Sequence, residues 1–468
     1  MDDRVQLVGL DFGSTTSSAM TATARIRASA SGRLEVAEPT VGYRSDPVFT
    51  PFADDETIDL GRVETLLDGW LEASALRPGD VFAGGAIVTG LAAERRNAPK
   101  LAELVQARLG EAVIATADDP ALESWLAFMG AASELSRDHP GRQVLNVDVG
   151  GGTTNAAVGV DGAVVATGCH LVGAQHLRFE PGTRRLTGRS DLGAALLAHL
   201  GIEREELAEE DLDAVAAFQA RALEAIVTGD DEFFAGGIGA RHERLALHVP
   251  GGLEDPIVAF SGGVGELVYA LAGGEPAGSP TRFGDLGVPL AEAILASGTL
   301  AAHVATAVPA NRGRATVYGL ALHSMQVSGA TLFLRDDAAL PLRDLPVVAH
   351  LRADAAPEAI REALALARRS ARGAAVQLTE TGTALADVRA LGGALADGLA
   401  AVPPPAGVPI VLLLEADVGK VLGNYASDWG RSGVDLIVID EVPVRDAQFV
   451  NVGRARDGIV PVSFYGMR

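Results

Sequence analysis

Val5 to Ile26 reads VQLVGLDFGSTTSSAMTATARI, and Val144 to Val160 reads VLNVDVGGGTTNAAVGV. Each is an apolar strand that ends on an aspartate, turns through glycine and hydroxyl residues, and leaves as a second strand. Laid on one another, Asp11 falls on Asp148, Gly13 on Gly150 and Thr16 on Thr153. A supersecondary unit that occurs twice predicts two related lobes facing each other. The chemistry of the turn is direct. Glycine lets the backbone approach a polyphosphate, and successive N–H groups form an anion-binding concavity to which Ser and Thr add donors. An aspartate beside a phosphate needs a hydrated Mg²⁺ between the two charges. One Asp-x-Gly-x-Thr is common turn chemistry, whereas two in register between apolar strands form a clamp.

A third element lies between Pro256 and Leu271, PIVAFSGGVGELVYAL. A strand meets a glycine turn at Gly262, Gly263 and Gly265 and opens into a helix, where a flat ring can lie against backbone. Standing alone it is equally well a plain strand-to-helix turn; after two phosphate hairpins it is the expected nucleoside turn. No G-x-x-x-x-G-K-[ST] occurs, and neither hairpin runs straight into a helix as a dinucleotide fingerprint does.

The remainder of the sequence bounds the function. Its 468 residues allow two or three domains, and 48% hydrophobic with 21% charged residues is an ordinary globular composition. The net charge of −23 argues against nucleic acid or anionic membrane as partners and is read as a solvated acidic surface. Apolar runs fall short of the ~20 residues of a membrane span, and MDDRVQ is not a secretion signal. The single cysteine, Cys169, supplies neither a disulfide nor a multi-thiolate cluster. These features predict a cytosolic protein. Nine histidines without metal-site spacing are read as structural or surface residues, and lysine occurs only at 100 and 420.

The order of two phosphate hairpins and a nucleoside turn resembles the superfamily of actin, Hsp70-type chaperones and sugar kinases. That resemblance implies an α/β fold of two ribonuclease-H-like lobes around a cleft for ATP and Mg²⁺, with an additional C-terminal α/β region. GGAIVTGLAAERRNA from Gly84, ATADDPALESWLAFMG from Ala115, RATVYGLALHSMQVSGATLF from Arg314, LEADVGKVLGNY from Leu414 and DGIVPVSFYG from Asp457 are similar to stretches of ethanolamine ammonia-lyase reactivating factors. This narrower resemblance implies a chaperone-like ATPase whose client is the adenosylcobalamin-dependent lyase. It would release damaged cobalamin so that intact cofactor can rebind, and association with a bacterial microcompartment is an open alternative to free cytosol. A reactivator of another cobalamin enzyme, a small-molecule kinase and an actin-like filament protein share the motifs. Neither a kinase's acceptor base nor a filament protein's membrane-targeting tail is legible.

On these resemblances Asp11 and Asp148 hold Mg²⁺, Gly13, Ser14, Thr15 and Thr16 cradle one side of the phosphates, and Gly150, Gly151, Gly152 and Thr153 cradle the other. Gly262, Gly263 and Gly265 lie against adenosine. Glu123, in the helix before the second hairpin, is the candidate for water activation; a salt-bridged acid at a helix start is the competing reading. Ser14 departs from the threonine or glycine common there, and no lysine stands where Hsp70-type chaperones use one. The expected organisation is lobe one over 1–140 and lobe two over 141–330. Lobe two carries an acidic helical insertion at about 181–252, and a family-specific α/β region covers 331–468. PPPAG at 403–407 is read as a hinge-like break.

Overall fold

The computed structural model describes residues 4–28, 34–54, 56–109, 113–117, 119–323, 326–327, 332–334, 340–455 and 459–467. Within the family-like stretches, positions 118, 324–325, 328–331 and 457–458 lie outside the described residues.

The first sheet contains β1 (Arg4–Phe12), β2 (Thr16–Ala28), β3 (Leu34–Arg44), the short β4 (Val48–Phe49), β5 (Val81–Val88) and β6 (Val113–Ala117). Its order is β3-β2-β1-β5-β6, with β4 on β2. β1, β2 and β3 are antiparallel, and β5 and β6 run parallel to β1. α1 (Leu60–Ser74) starts where Asp59 accepts the Arg62 N–H, and ends at Ala75 in the left-handed region. It packs Val63, Leu67 and Trp70 into the same core as Leu101 and Val105 of α3 (Ala98–Leu109). The short α2 (Gly90–Ala93) follows β5.

The second sheet repeats the pattern. β7 (Val144–Val149), β8 (Thr154–Val160) and β9 (Ala163–His170) are antiparallel, and β13 (Ile257–Ser261) lies parallel to β7. The order is β12-β9-β8-β7-β13, with β12 at Glu243–Leu245. Between β9 and β12 come the ribbon β10 (Leu177–Phe179) and β11 (Leu186–Arg189), then α6 (Asp191–His199) and α7 (Glu209–Thr228). The expected insertion at about 181–252 therefore contains β11, α6 and α7, but its end supplies β12 to the main sheet of the lobe. α7 begins only at Glu209, because Asp211 takes the Ala208 N–H and stops the preceding loop from joining the helix. The lobe's core lies between its sheet and α7, α8 (Gly262–Ala272) and α9 (Gly287–Ala296). A three-antiparallel, then parallel strand order in both sheets is the ribonuclease-H-like arrangement expected from the duplicated hairpins.

Two helices join the lobes. α4 (Pro120–Ala131), capped by Asp119 and continued by α5 (Ser133–Asp138), packs on the second sheet. α10 (Ala315–His323) follows lobe two but returns to lie against β1 and α4. The approach is made by glycine: a Cβ at Gly130 would stand 1.9 Å from the Ala315 carbonyl oxygen, and one at Gly319 2.2 Å from that of Leu126.

The C-terminal sheet contains β14 (Gln326–Val327), β15 (Leu342–Arg352), β16 (Ala374–Thr379), β17 (Ile410–Leu414), β18 (Leu436–Ile439), β19 (Ala447–Val452) and β20 (Pro461–Met467), ordered β14-β20-β19-β15-β16-β17-β18. Its parallel half packs on α11 (Pro357–Ala367), α12 (Leu385–Ala401) and α13 (Gly419–Ala426). The other face is covered by residues of β19 and β20. PPPAG joins α12 to β17 inside this unit, within the helical crossover between the paired strands β16 and β17, and is no hinge between units. The unit touches α4, where Asp119 Oδ2 accepts the Gly466 N–H at 2.6 Å and the Arg445 guanidinium lies 5.6 Å from the Trp125 ring centre.

Candidate nucleotide cleft

The two hairpins are superimposable in register. Asp11 pairs with Ser18 across β1 and β2, and Asp148 with Asn155 across β7 and β8. Each turn closes with one hydrogen bond, Gly13 N–H to Thr16 O at 3.0 Å and Gly150 N–H to Thr153 O at 2.9 Å. The lobes bring these turns together: a Cβ on Gly151 would stand 2.3 Å from Thr15 Oγ1 and 3.4 Å from Ser14 Cβ. The cleft between them has a volume of about 370 Å³, within the range of small-molecule sites.

Of the residues expected at the site, Asp11, Gly13, Ser14, Thr15, Thr16, Glu123, Asp148, Gly150, Gly151, Thr153, Gly262 and Gly263 line the cleft. Two do not. Gly152 turns its carbonyl into the lobe, where His176 Nε2 meets it at 2.8 Å. Gly265 backs onto Phe260, the nearest atom to an added Cβ being the Phe260 carbonyl carbon at 3.0 Å, so this glycine serves helix–strand packing. Gly262 and Gly263 are the first residues of α8, and Gly262 needs to be glycine both for its φ of 81° and because a Cβ there would stand 2.5 Å from the Val149 carbonyl oxygen.

Three carboxylates converge in the cleft. Burial, then the Asp148 charge, raise the pKa of Asp11 to about 7 against a hydrogen bond from Thr89. Burial raises Asp148 to about 6, opposed by Ser261. Glu123 is pushed well above the usual carboxylate range by burial, then by Asp11 and Asp148; the Asn155 amide and the Arg244 charge act the other way. Asp11 and Asp148 end two strands as hard-oxygen groups facing one cleft, and a divalent cation would offset the Asp148 charge felt at Asp11.

Sequence reasoning missed several residues. Thr89 and Ser261 hold the motif aspartates, and Asn155 holds Glu123. Their signal was present: VTG at Val88–Gly90 and SGG at Ser261–Gly263 are the same hydroxyl-glycine ending on matched parallel strands. Asp285, Phe283 and Arg314 also line the cleft, the last beside Gly313 and Glu266. Phe49 and Phe283 stand exposed, one from each side. These come from loops and helix starts without a motif, and only folding assembles them.

Two ribonuclease-H-like lobes with matched glycine hairpins across a cleft define an actin-like α/β protein. A model of the family described as ethanolamine utilisation protein EutA matches residues 3–466, and the chain belongs to that family. Two relatives named ethanolamine ammonia-lyase reactivase EutA are similar over nearly their whole length. The Salmonella typhimurium protein is 30% identical over 479 residues and the Escherichia coli protein 29% over 468, each with 97% of both chains covered. Among solved structures, an exopolyphosphatase-like protein is 17% identical with a TM-score of 0.42, covering 69% of this chain and 98% of that one. Among the described residues no helix is long and apolar enough to cross a membrane.

Proposed function

We propose that this chain is an ATP-driven reactivating factor for ethanolamine ammonia-lyase, releasing damaged cobalamin so that adenosylcobalamin can rebind. The observation that carries the reading is the paired cleft: two hairpins in one register, each ending on a buried-side carboxylate, in a chain whose family match runs nearly end to end. Mg²⁺ fits the hard-oxygen chemistry of Asp11 and Asp148, whose pKa values are raised to about 7 and about 6 by burial and, for Asp11, by the Asp148 charge as well. When bound, Mg²⁺·ATP would supply a γ-phosphate long enough to touch both hairpins.

The protein's own groups divide the work. Ser14, Thr15 and Thr16 offer backbone and hydroxyl donors from lobe one, and Gly151 and Thr153 offer them from lobe two, while Gly13 and Gly150 use their N–H groups to close the turns. Gly262 and Gly263 present bare backbone to the nucleoside. Glu123, held by Asn155, is the group to accept a proton from attacking water. Lobes 1–140 and 141–330 would close on the triphosphate and relax on the diphosphate, with 331–468 riding on α4. Such a switch acts on a client only if its two states bind that client with different affinity.

The direct test is recovery of hydroxocobalamin-blocked ethanolamine ammonia-lyase on adding this protein, Mg²⁺, ATP and fresh adenosylcobalamin. Recovery that needs ATP and is lost in Asp11→Ala or Asp148→Ala supports both client and cleft. ATP binding without recovery sinks the client and leaves the cleft standing.

A further inference from the structure

Behind the second phosphate hairpin runs a four-residue strap, Gly173 to His176, that touches every carbonyl of the glycine turn. The Ala174 N–H donates to Gly150 O at 3.2 Å, the Gln175 N–H to Gly151 O at 2.6 Å, and His176 Nε2 lies 2.8 Å from Gly152 O. The strap lies so close that a Cβ on Gly173 would stand 2.5 Å from Gly151 O. In a trans peptide the C=O of one residue and the N–H of the next point in opposite directions. Three carbonyls drawn back to the strap therefore turn the N–H groups of Gly151, Gly152 and Thr153 away from it, and of these residues Gly151 and Thr153 line the cleft. The strap decides which way the concavity faces.

Its far side reaches the helical insertion. A carbonyl only accepts, so His176 must donate from Nε2 to Gly152. In the neutral ring Nδ1 then accepts the Ser190 hydroxyl proton, at 2.8 Å, and Ser190 Oγ accepts the Gly193 N–H at the start of α6. From α7, the buried Gln219 donates to Gly173 O at 3.0 Å and leaves its own Oε1 without a partner. The Leu286 N–H, just before α9, closes on Ala174 O at 3.0 Å.

We propose that His176 is a positioning residue for the phosphate turn, and that the strap carries the state of that turn to α6 and α7. The assignment rests on the nucleotide reading above. His176 touches no ligand itself; it fixes the Gly152 peptide and passes any rotation of that peptide to Ser190. A turn that shifts when a γ-phosphate arrives or leaves would pull on the α6 start through one hydrogen-bonded chain.

The test uses the full-length protein with Mg²⁺ and a non-hydrolysable ATP analogue, read by calorimetric titration and by hydrogen exchange over residues 191–228. His176→Ala is expected to weaken the analogue by about ten-fold, the effect of one lost buried hydrogen bond. His176→Gln, whose amide restores a donor near Nε2, should bring affinity back to within about three-fold. Ser190→Ala should bind normally, yet lose the protection of α6 that the analogue induces in the wild type. Rescue by Gln separates positioning from bulk packing, and decides the matter if the Ala variant folds poorly. Equal affinity in wild type, Ala and Gln variants overturns the inference while leaving the cleft intact. Ligand-induced protection that survives Ser190→Ala overturns the relay. A wild type that binds no analogue overturns the nucleotide reading, and this inference with it.

Discussion

Ser261, the last residue of β13, donates its hydroxyl proton to Asp148 Oδ2 over 2.5 Å. Lobe one repeats the contact, with Thr89, just beyond β5, donating to Asp11 Oδ1 at 3.3 Å. The same strand geometry thus places a hydroxyl against each motif aspartate. Ser261 in turn accepts from Asn146 Nδ2 at 2.9 Å, so the lobe-two carboxylate is held through two buried side chains.

Ser261→Ala removes the donor and leaves Asp148 less able to keep its charge. Affinity for Mg²⁺·ATP should fall by about ten-fold, with Ser261→Thr near wild type. Calorimetric titration at fixed Mg²⁺ checks this; an unchanged constant would mean that Asp148 needs no such support.

Gly151→Ala tests the meeting of the hairpins. Its Cβ would fall 2.3 Å from Thr15 Oγ1 and 3.2 Å from Gln175 Cγ, so Thr15 must rotate out of its place in the cleft or the turns must move apart. Nucleotide affinity should drop by more than ten-fold, while thermal stability changes by no more than about 1–3 kcal/mol. Retained affinity would show that the turns need not touch.

Glu123→Gln keeps the shape of the side chain and removes the base. ATP hydrolysis should slow by about 10²-fold or more, with binding preserved. If single-turnover rates are unchanged, Glu123 is an acid held by Asn155 for structure alone.

Gly130→Ala puts a methyl into the crossing of α4 and α10, 1.9 Å from the Ala315 carbonyl oxygen and 2.8 Å from the Gly319 nitrogen. Neither neighbour is a flexible side chain. The variant should lose at least about 1–3 kcal/mol and melt several degrees lower. A melting temperature equal to wild type would show that the helices slide freely past each other.

His170 is buried against Phe234 with Nδ1 unpartnered, and burial, then the His242 charge, lower its pKa to about 4. The unfolded chain takes up this proton below about pH 6.5 and the folded protein does not, so stability is lost as pH falls from 6.5 toward 4. His176 and His323 are lowered to about 4 as well. His170→Leu should therefore lose less stability than wild type between pH 7 and pH 5, by up to about 2 kcal/mol. Parallel melting curves across that range would contradict the assignment of a neutral buried ring.

Much of the fold was legible because it rests on local rules. Alternating apolar residues, a strand-end aspartate and a glycine turn specify each hairpin within about twenty residues, and the repeat announces the second lobe. Glu123 was legible as a position but not as a partner of Asn155, since that contact joins a helix to a strand of the hairpin after it. Gly152 and Gly265 look like their cleft-lining neighbours in the sequence; their direction depends on His176 and Phe260, which the linear pattern does not relate to them. PPPAG reads as a hinge because proline breaks structure anywhere, while the pairing of β17 with β16 across the α12 crossover makes it an internal loop.

The sequence by itself determined the two hairpins, their register, the glycine turn from β13 into α8 and the acids that end the strands, because each follows from residue types a few positions apart. Only the tertiary structure decided that the lobes face each other closely enough for Gly151 to meet Thr15, and that α10 returns to α4 through bare glycines. It alone gathered Asp285, Phe283 and Arg314 at the cleft, and drew a strap across the back of the second turn. Such contacts join residues tens to hundreds of positions apart. They arise from burying several faces at once, a condition imposed by the whole chain and carried by no single stretch of it.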